Sequence, residues 1–351
     1  MTPQAIESRI HRFALNRLAI VAALACGWLL TACGGGGGDD NGATVTPMSQ
    51  SDATADAANA SSTGSDAAAA LDTLVDTTAA LAPVLAATAV AVPAERAQVE
   101  SARPEASPAP PSITGTVACP GGGSATMSVS GTLETLRNGQ LDAGESYRVT
   151  YVQCSGGAGL ARLDGSVEMD VTAADHATSP ASVAVSLAVT HLVLSLPAGN
   201  ATLDGTATLS RSVATSGGTT TTTSHATVPA ATLATAFNSR SGSFTLSDLD
   251  ATRTVTSVAG IATASRYDGH HTLSGTAGGR TFSMNVSTTG SVNYDANGAL
   301  VSGAWTMVRP RATVATTVAN GLVVLTVDDG NDGTIDHTWT FPAAQLAAAA
   351  G

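Results

Sequence analysis

From Ser112 onward the chain alternates. Segments such as Ser166-Val167-Glu168-Met169-Asp170-Val171, Thr206-Ala207-Thr208-Leu209-Ser210 and Ser243-Phe244-Thr245-Leu246 place an apolar residue at every second position, as do Thr281-Phe282-Ser283-Met284-Asn285-Val286 and Thr338-Trp339-Thr340-Phe341. Period two with β-branched enrichment marks strands that bury one face. Turn signals punctuate these runs at Asn138-Gly139, Asp164-Gly165, Asp204-Gly205, Asp268-Gly269, Asn297-Gly298 and Asp332-Gly333. No helical pattern of comparable length competes after Ser112. The expectation is an all-β domain over 113–346, an antiparallel meander of roughly ten to thirteen strands, large enough that it must curl to protect its edges. A barrel-like sheet and a two-sheet sandwich both satisfy the pattern. Aromatic residues make up only 3% of the chain, so the core has to rest on Val, Leu, Ala and Thr.

The N-terminus reads differently. Arg9, Arg12 and Arg17 precede an apolar run from Leu18 to Leu30, too short to span a bilayer comfortably but suited to a signal-peptide core. The run ends in Leu30-Thr31-Ala32-Cys33, which resembles the lipobox of bacterial lipoproteins. That resemblance implies cleavage before Cys33 (signal peptide 1–32), diacylglycerol on the Cys33 thiol, and a further acyl chain such as palmitate on its amine. Two or three chains anchor a protein stably where one does not. Ala23-Leu24-Ala25-Cys26 is a weaker rival, and the glycine tract Gly34–Gly38 gives Cys33 the flexible exit that an anchored cysteine needs. A glycine rather than an aspartate after the cysteine favours, by the same resemblance, the outer membrane, with either face open.

Between the anchor and the domain, 33–112 is rich in Ala, Thr, Ser, Asp and Pro, and from Gly34 onward it holds no aromatic residue and two arginines, Arg96 and Arg103. Such a composition reads as a disordered tether. A local exception is Ser65-Asp66 followed by an Ala/Leu stretch closed at Pro83, where Ser65 could cap a short helix presenting Leu71, Leu74, Val75 and Leu81. The prolines from Pro104 to Pro111 read as a stiff extended stalk. Residues 347–351 read as a flexible tail.

Cys119 and Cys154 are the two cysteines after Ser112, and in an oxidising compartment such a pair reads as a disulfide. The segment they enclose, with Cys119-Pro120-Gly121-Gly122 and Asn138-Gly139-Gln140-Leu141-Asp142-Ala143-Gly144-Glu145-Ser146, resembles an element that recurs in proteobacterial secreted proteins and lipoproteins. The resemblance implies a first hairpin pinned by the disulfide and brings no activity with it.

Chemistry is sparse. The chain has no lysine; all fifteen basic residues are arginine, which excludes Schiff-base mechanisms. Removing the signal peptide, with three arginines against Glu7, takes the formal charge from −12 to −14, and an acidic chain without a basic run repels nucleic acid. Asp328, Asp329, Asp332 and Asp336 are the best calcium candidates, but the spacing departs from an EF-hand loop and a tight hairpin is the plainer reading. His270-His271 invites a metal, yet neighbours on a strand point to opposite faces. No cofactor motif, Gly-x-Ser-x-Gly elbow or Cys-x-x-Cys occurs. Trp305, Trp339 and Tyr294 could line an apolar or glycan site, or fill a lean core.

The resulting expectation is a non-enzymatic envelope lipoprotein, a β scaffold whose partners are the membrane through its anchor and a protein, glycan or lipid. The alternative is a carrier that holds a lipid or other apolar ligand inside the curled sheet, with the aromatic C-terminal strands as its site.

Overall fold

The computed structural model describes residues 47–89, 112–131, 135, 138, 140–155, 162–196, 199–237, 240–277 and 280–349. The lipobox Leu30–Cys33, the residues 103–111 and Gly139 lie outside them. The first element is a helix, α1 (Gln50–Ala89). Short strands β1 (Ser112–Ala118), β2 (Ser124–Ser130) and β3 (Ser146–Ser155) follow. The long ones are β4 (Arg162–Asp175), β5 (Ala181–Leu196), β6 (Gly199–Ser216), β7 (Thr219–Phe237), β8 (Arg240–Val258), β9 (Ile261–Ala277) and β10 (Arg280–Asp295). Shorter strands close the meander: β11 (Leu300–Arg309), β12 (Ala312–Ala319), β13 (Leu322–Asp329) and β14 (His337–Pro342), before a last helix, α2 (Ala343–Ala349).

All fourteen strands form one antiparallel sheet in sequence order. The all-β expectation holds as a single curled sheet rather than two stacked ones. It is not a closed barrel, because β1 and β14 stay unpaired at the two ends of the order. Helix α1 packs against β1 and also against α2, which sits on β13 and β14, so helices line the open seam. The tail expected at 347–351 is corrected up to Ala349: α2 is helical and Leu346 is 1% exposed.

Three Asp-Gly pairs read as turns lie inside strands instead: Asp164-Gly165 in β4, Asp204-Gly205 in β6 and Asp268-Gly269 in β9. The first two mark a line of β-bulges, with register shifts from the β3–β4 pairing through β6–β7. Glycine is required there by close approach. A Cβ on Gly165 would lie 2.1 Å from the carbonyl oxygen of His191, and one on Gly205 would lie 2.7 Å from the Cα of Ala231. Facing them, Gln153 and His191 take φ values of 50° and 47°. Their amides donate to Asp164 at 2.8 Å and to Asp204 at 2.6 Å. Each bulge flips side-chain parity. In β5 the inward residues are Val185, Leu187 and Val189 before the bulge, then Leu192 and Leu194 after it, all facing one interior. The crease divides that interior into a main core and a satellite cluster around Cys119, Cys154 and Tyr151.

The tether reading fails over Gln50–Ala89. The helix starts fifteen residues before Ser65 and is capped by Ser49, whose Oγ accepts the Asp52 amide at 3.2 Å while donating to the Asp52 carboxylate at 2.6 Å. It is also a core element. Ala53, Ala57, Ala60, Gly64, Ala68, Leu71 and Val75 recur at helical spacing, and all but half-buried Leu71 are buried. Its contacts step across the sheet. Met48 donates its amide to Asp329 at the end of β13, Asp56 pairs with Arg309 of β11, and the Ala57 carbonyl accepts Trp305 Nε1 at 3.1 Å. The Ser61 carbonyl then accepts Tyr294 Oη of β10 at 3.2 Å, and Asp72 meets Arg253 of β8 and Ser224 of β7. A helix rises about 5.4 Å per turn and strands sit about 4.8 Å apart, so one turn meets roughly one strand. Small residues on the helix let the large ones come from the sheet.

Gly64 shows how tight this is. A Cβ there would lie 1.9 Å from Tyr267 Oη and 3.1 Å from His271 Nδ1. His271 is 2% exposed, and neither ring nitrogen finds a hydrogen-bond partner among the described residues. Burial, with neighbouring His270 adding to it, pushes its pKa from 6.5 down to about 4. The unfolded chain takes up a proton near pH 6.5 and the folded chain only near pH 4. The stability from a neutral buried ring is therefore complete above pH 6.5 and is lost as pH falls toward 4. The gap corresponds to about 3 kcal/mol. Urea unfolding at pH 7 and pH 4 should show His271→Phe losing less stability than the parent by about that amount; equal losses would remove His271 as the cause.

Candidate functional site

Helix α1 fills the interior over β7–β13 but not beyond the crease. Where Ala67 and Ala70 face the sheet, a cavity of about 240 Å³ opens between the helix and strands β4–β9. Its walls are Leu163 and Val167 of β4, Leu187 and Leu194 of β5, Leu203 of β6 and Leu233 of β7. Phe244, Leu246 and Leu273 close the β8–β9 side. The bulges shape it by turning both parity sets of β5 inward. Such a volume sits just below the usual range of ligand pockets, roughly 300–1,000 Å³, and suits one apolar chain or ring system.

Few polar groups reach this space. Asp66 is the polar side chain that borders it; Asp204, Thr206 and Thr232 occupy lining positions next to inward-facing Leu203, Ala207 and Leu233, so their side chains point to the outer face. Asp66 is half-buried on α1, and burial raises its carboxyl pKa against the lowering influence of Arg253. Asp204 lies on the outer face of β6, its carboxylate engaged with the His191 amide.

The residues singled out from the sequence fall elsewhere. Cys119 and Cys154 are bonded, with Cα atoms 5.4 Å apart, and tie the end of β1 to the end of β3. The Pro-Gly-Gly turn between β1 and β2 is sewn to β3 by Gly121 N–H to Ser155 O at 2.8 Å and Ser155 N–H to Gly122 O at 3.0 Å. In the Asn138–Ser146 element, Leu141 plugs the main core and Glu145 turns inward to accept Tyr147 Oη and the Asp142 amide. Asp328, Asp332 and Asp336 spend their oxygens on the β13–β14 hairpin, accepting the amides of Asp332, Gly333, Thr334 and Asp329. Asp329 accepts the Met48 amide and faces His337 at 3.4 Å. Among the described residues no group of three or more His, Cys, Asp and Glu is placed to hold a metal. Trp305 is 1% exposed and packed on α1, and Trp339 stacks on His337 at 5.2 Å. Neither aromatic lines the cavity, which lies against β4–β9 and not against the C-terminal strands.

One arrangement resembles hydrolytic machinery. His225 Nε2 meets Asp250 at 3.0 Å, and Ser210 is the cross-strand neighbour of His225. All three side chains lie on the outer face without a cleft, and no Ser210–His225 hydrogen bond occurs among the described residues. The row lacks the activated nucleophile that acyl transfer requires.

The cavity carried no sequence signal of its own; the parity switch between Val189 and Leu192 was the one visible hint. No protein-family model, curated protein or solved structure matches the chain.

Proposed function

We propose that the protein is a lipid-anchored carrier of the bacterial cell envelope that holds an apolar ligand beneath α1. The cavity carries this reading: a curled sheet whose interior is lined almost wholly by Leu, Val, Ala and Phe beside a helix of small residues. The Leu30–Cys33 motif and the Cys119–Cys154 bond support an oxidising compartment reached through a lipoprotein signal. The role is non-enzymatic. The scaffold reading keeps one observation in its favour, the interior over β9–β13 filled by α1.

Native mass spectrometry of the chain carrying Cys33→Ala, purified from a periplasm, tests it. A co-purifying mass of lipid size, or binding of a neutral fluorophore such as N-phenyl-1-naphthylamine, is expected. Ala70→Phe fills the cavity from the helix side and should weaken that binding at least tenfold, equivalent to about 1.4 kcal/mol. An apo mass with no fluorophore binding would return the protein to the scaffold reading. The anchor has its own check: Cys33→Ala should move the protein from the membrane to the soluble fraction, and continued membrane association would remove it.

A further inference from the structure

The cavity has a charge as well as a shape. Its lining includes one half-buried carboxylate, Asp66 on the helix side, and no arginine or histidine. The nearest cation on the sheet side, Arg253, is committed: its Nη1 lies 3.4 Å from Asp72 Oδ2, and Ser224 donates to the other Asp72 oxygen at 2.6 Å. Arg253 thus acts on Asp66 only while held by Asp72, and the lining of the apolar chamber offers Asp66 no cation of its own. Among the described residues no hydrogen bond engages the Asp66 carboxylate, whose desolvation already disfavours its charged form. On the outer face of β6, Asp204 uses one oxygen for the His191 amide, while its other oxygen is 3.9 Å from the ring of a well-exposed His191.

From this charge pattern we infer that the ligand is a cationic amphiphile, an apolar tail with a protonated amine or quaternary ammonium head, and that Asp66 is the residue that holds the head. The inference rests on the carrier reading and narrows it. A carboxylate or phosphate head would meet a like charge at Asp66 in a partly desolvated setting with no cation in the lining to receive it, whereas an ammonium restores neutrality and gives Asp66 its hydrogen bonds. The tail would lie along Leu187, Leu194, Leu203 and Leu233. The acidity of the whole chain acts in the same direction at longer range, drawing cations toward the mouth.

The test is a competition. Dodecylamine, dodecanol and dodecanoate, each below its micelle concentration, displace N-phenyl-1-naphthylamine from the Cys33→Ala chain near neutral pH. The amine should compete at least tenfold better than the alcohol, and the carboxylate worse than either. In Asp66→Asn the amine should fall to the level of the alcohol while the alcohol is unchanged, with thermal unfolding showing that the variant is folded. Asp204→Asn, on the outer face of β6, should leave the preference unchanged. Equal binding of the three heads, or an amine preference that survives Asp66→Asn, would overturn this inference and leave the carrier reading standing. Failure of the neutral fluorophore and the alcohol to bind at all would instead sink the carrier reading.

Discussion

Trp305→Ala is expected to destabilise the protein by about 3–5 kcal/mol, the range for removing a fully buried Trp or Phe. Trp305 is the largest side chain buried below 2% exposure. Its ring packs in the main core and its Nε1 donates to the Ala57 carbonyl, so it belongs to both the sheet and the helix. The buried apolar residues of the helix at this level are alanines, Ala53, Ala57, Ala58 and Ala60, and alanines cannot swing in to fill the space left. The variant should therefore lose the helix before the sheet: amide exchange should rise first over Ala53–Gly64. Trp305→Phe separates the two contributions, keeping a ring but removing the donor, and should cost about 1 kcal/mol plus a small packing loss. If chemical denaturation places Trp305→Ala within about 1 kcal/mol of the parent, helix α1 is not coupled to the core in the way described.

Removing the Cys119–Cys154 bond is the second large effect. A crosslink across 35 residues restrains the unfolded chain by about 4 kcal/mol in the loop-entropy model. The bond also has local work. Both cysteines sit in the satellite cluster with Leu163, Val167, Leu192 and Leu194, which are walls of the cavity. Cys119→Ser/Cys154→Ser should lower the denaturation midpoint and weaken fluorophore binding together, and dithiothreitol should do the same to the parent. A lowered midpoint with unchanged binding would mean that the cavity keeps its shape without the staple.

Much of the fold was legible because strands announce themselves twice, in alternation and in turns. The alternating segments quoted at the outset all became strands, and Asn297-Gly298 and Asp332-Gly333 fall in connections between strands. Asp-Gly misled within β4, β6 and β9 for a physical reason: the dipeptide serves any place where backbones crowd or φ turns positive, and a bulge makes the same demand as a turn. Apolar parity runs unbroken across Asp164-Gly165 and Asp204-Gly205, as it does within a continuing strand, and the switch falls on the facing strand, across Thr190-His191. Helix α1 escaped because its buried stripe is made of Ala and Gly, which contribute almost nothing to hydropathy contrast. The spacing of Ala53, Ala57, Ala60, Gly64 and Ala68 was present, but alanine signals burial only when a partner surface supplies the bulk. That bulk, Trp305, Tyr267 and Tyr294, lies more than two hundred residues away in sequence. The cavity was least legible, since it depends on where the helix stops filling the interior.

The way α1 lies across the strands has a mechanical consequence. Upstream chain enters the helix at Met48, beside β13, and its contacts follow in order through Arg309, Trp305, Tyr294 and Arg253. A pull on the segment before Met48 would load these contacts one at a time, peeling the helix like a strip of tape instead of shearing all of them at once. Peeling proceeds at low force, and the strand ladder is not in the line of tension until the helix is gone. Tension on that upstream segment would thus uncover Asp66 and the chamber beneath it while leaving the sheet folded.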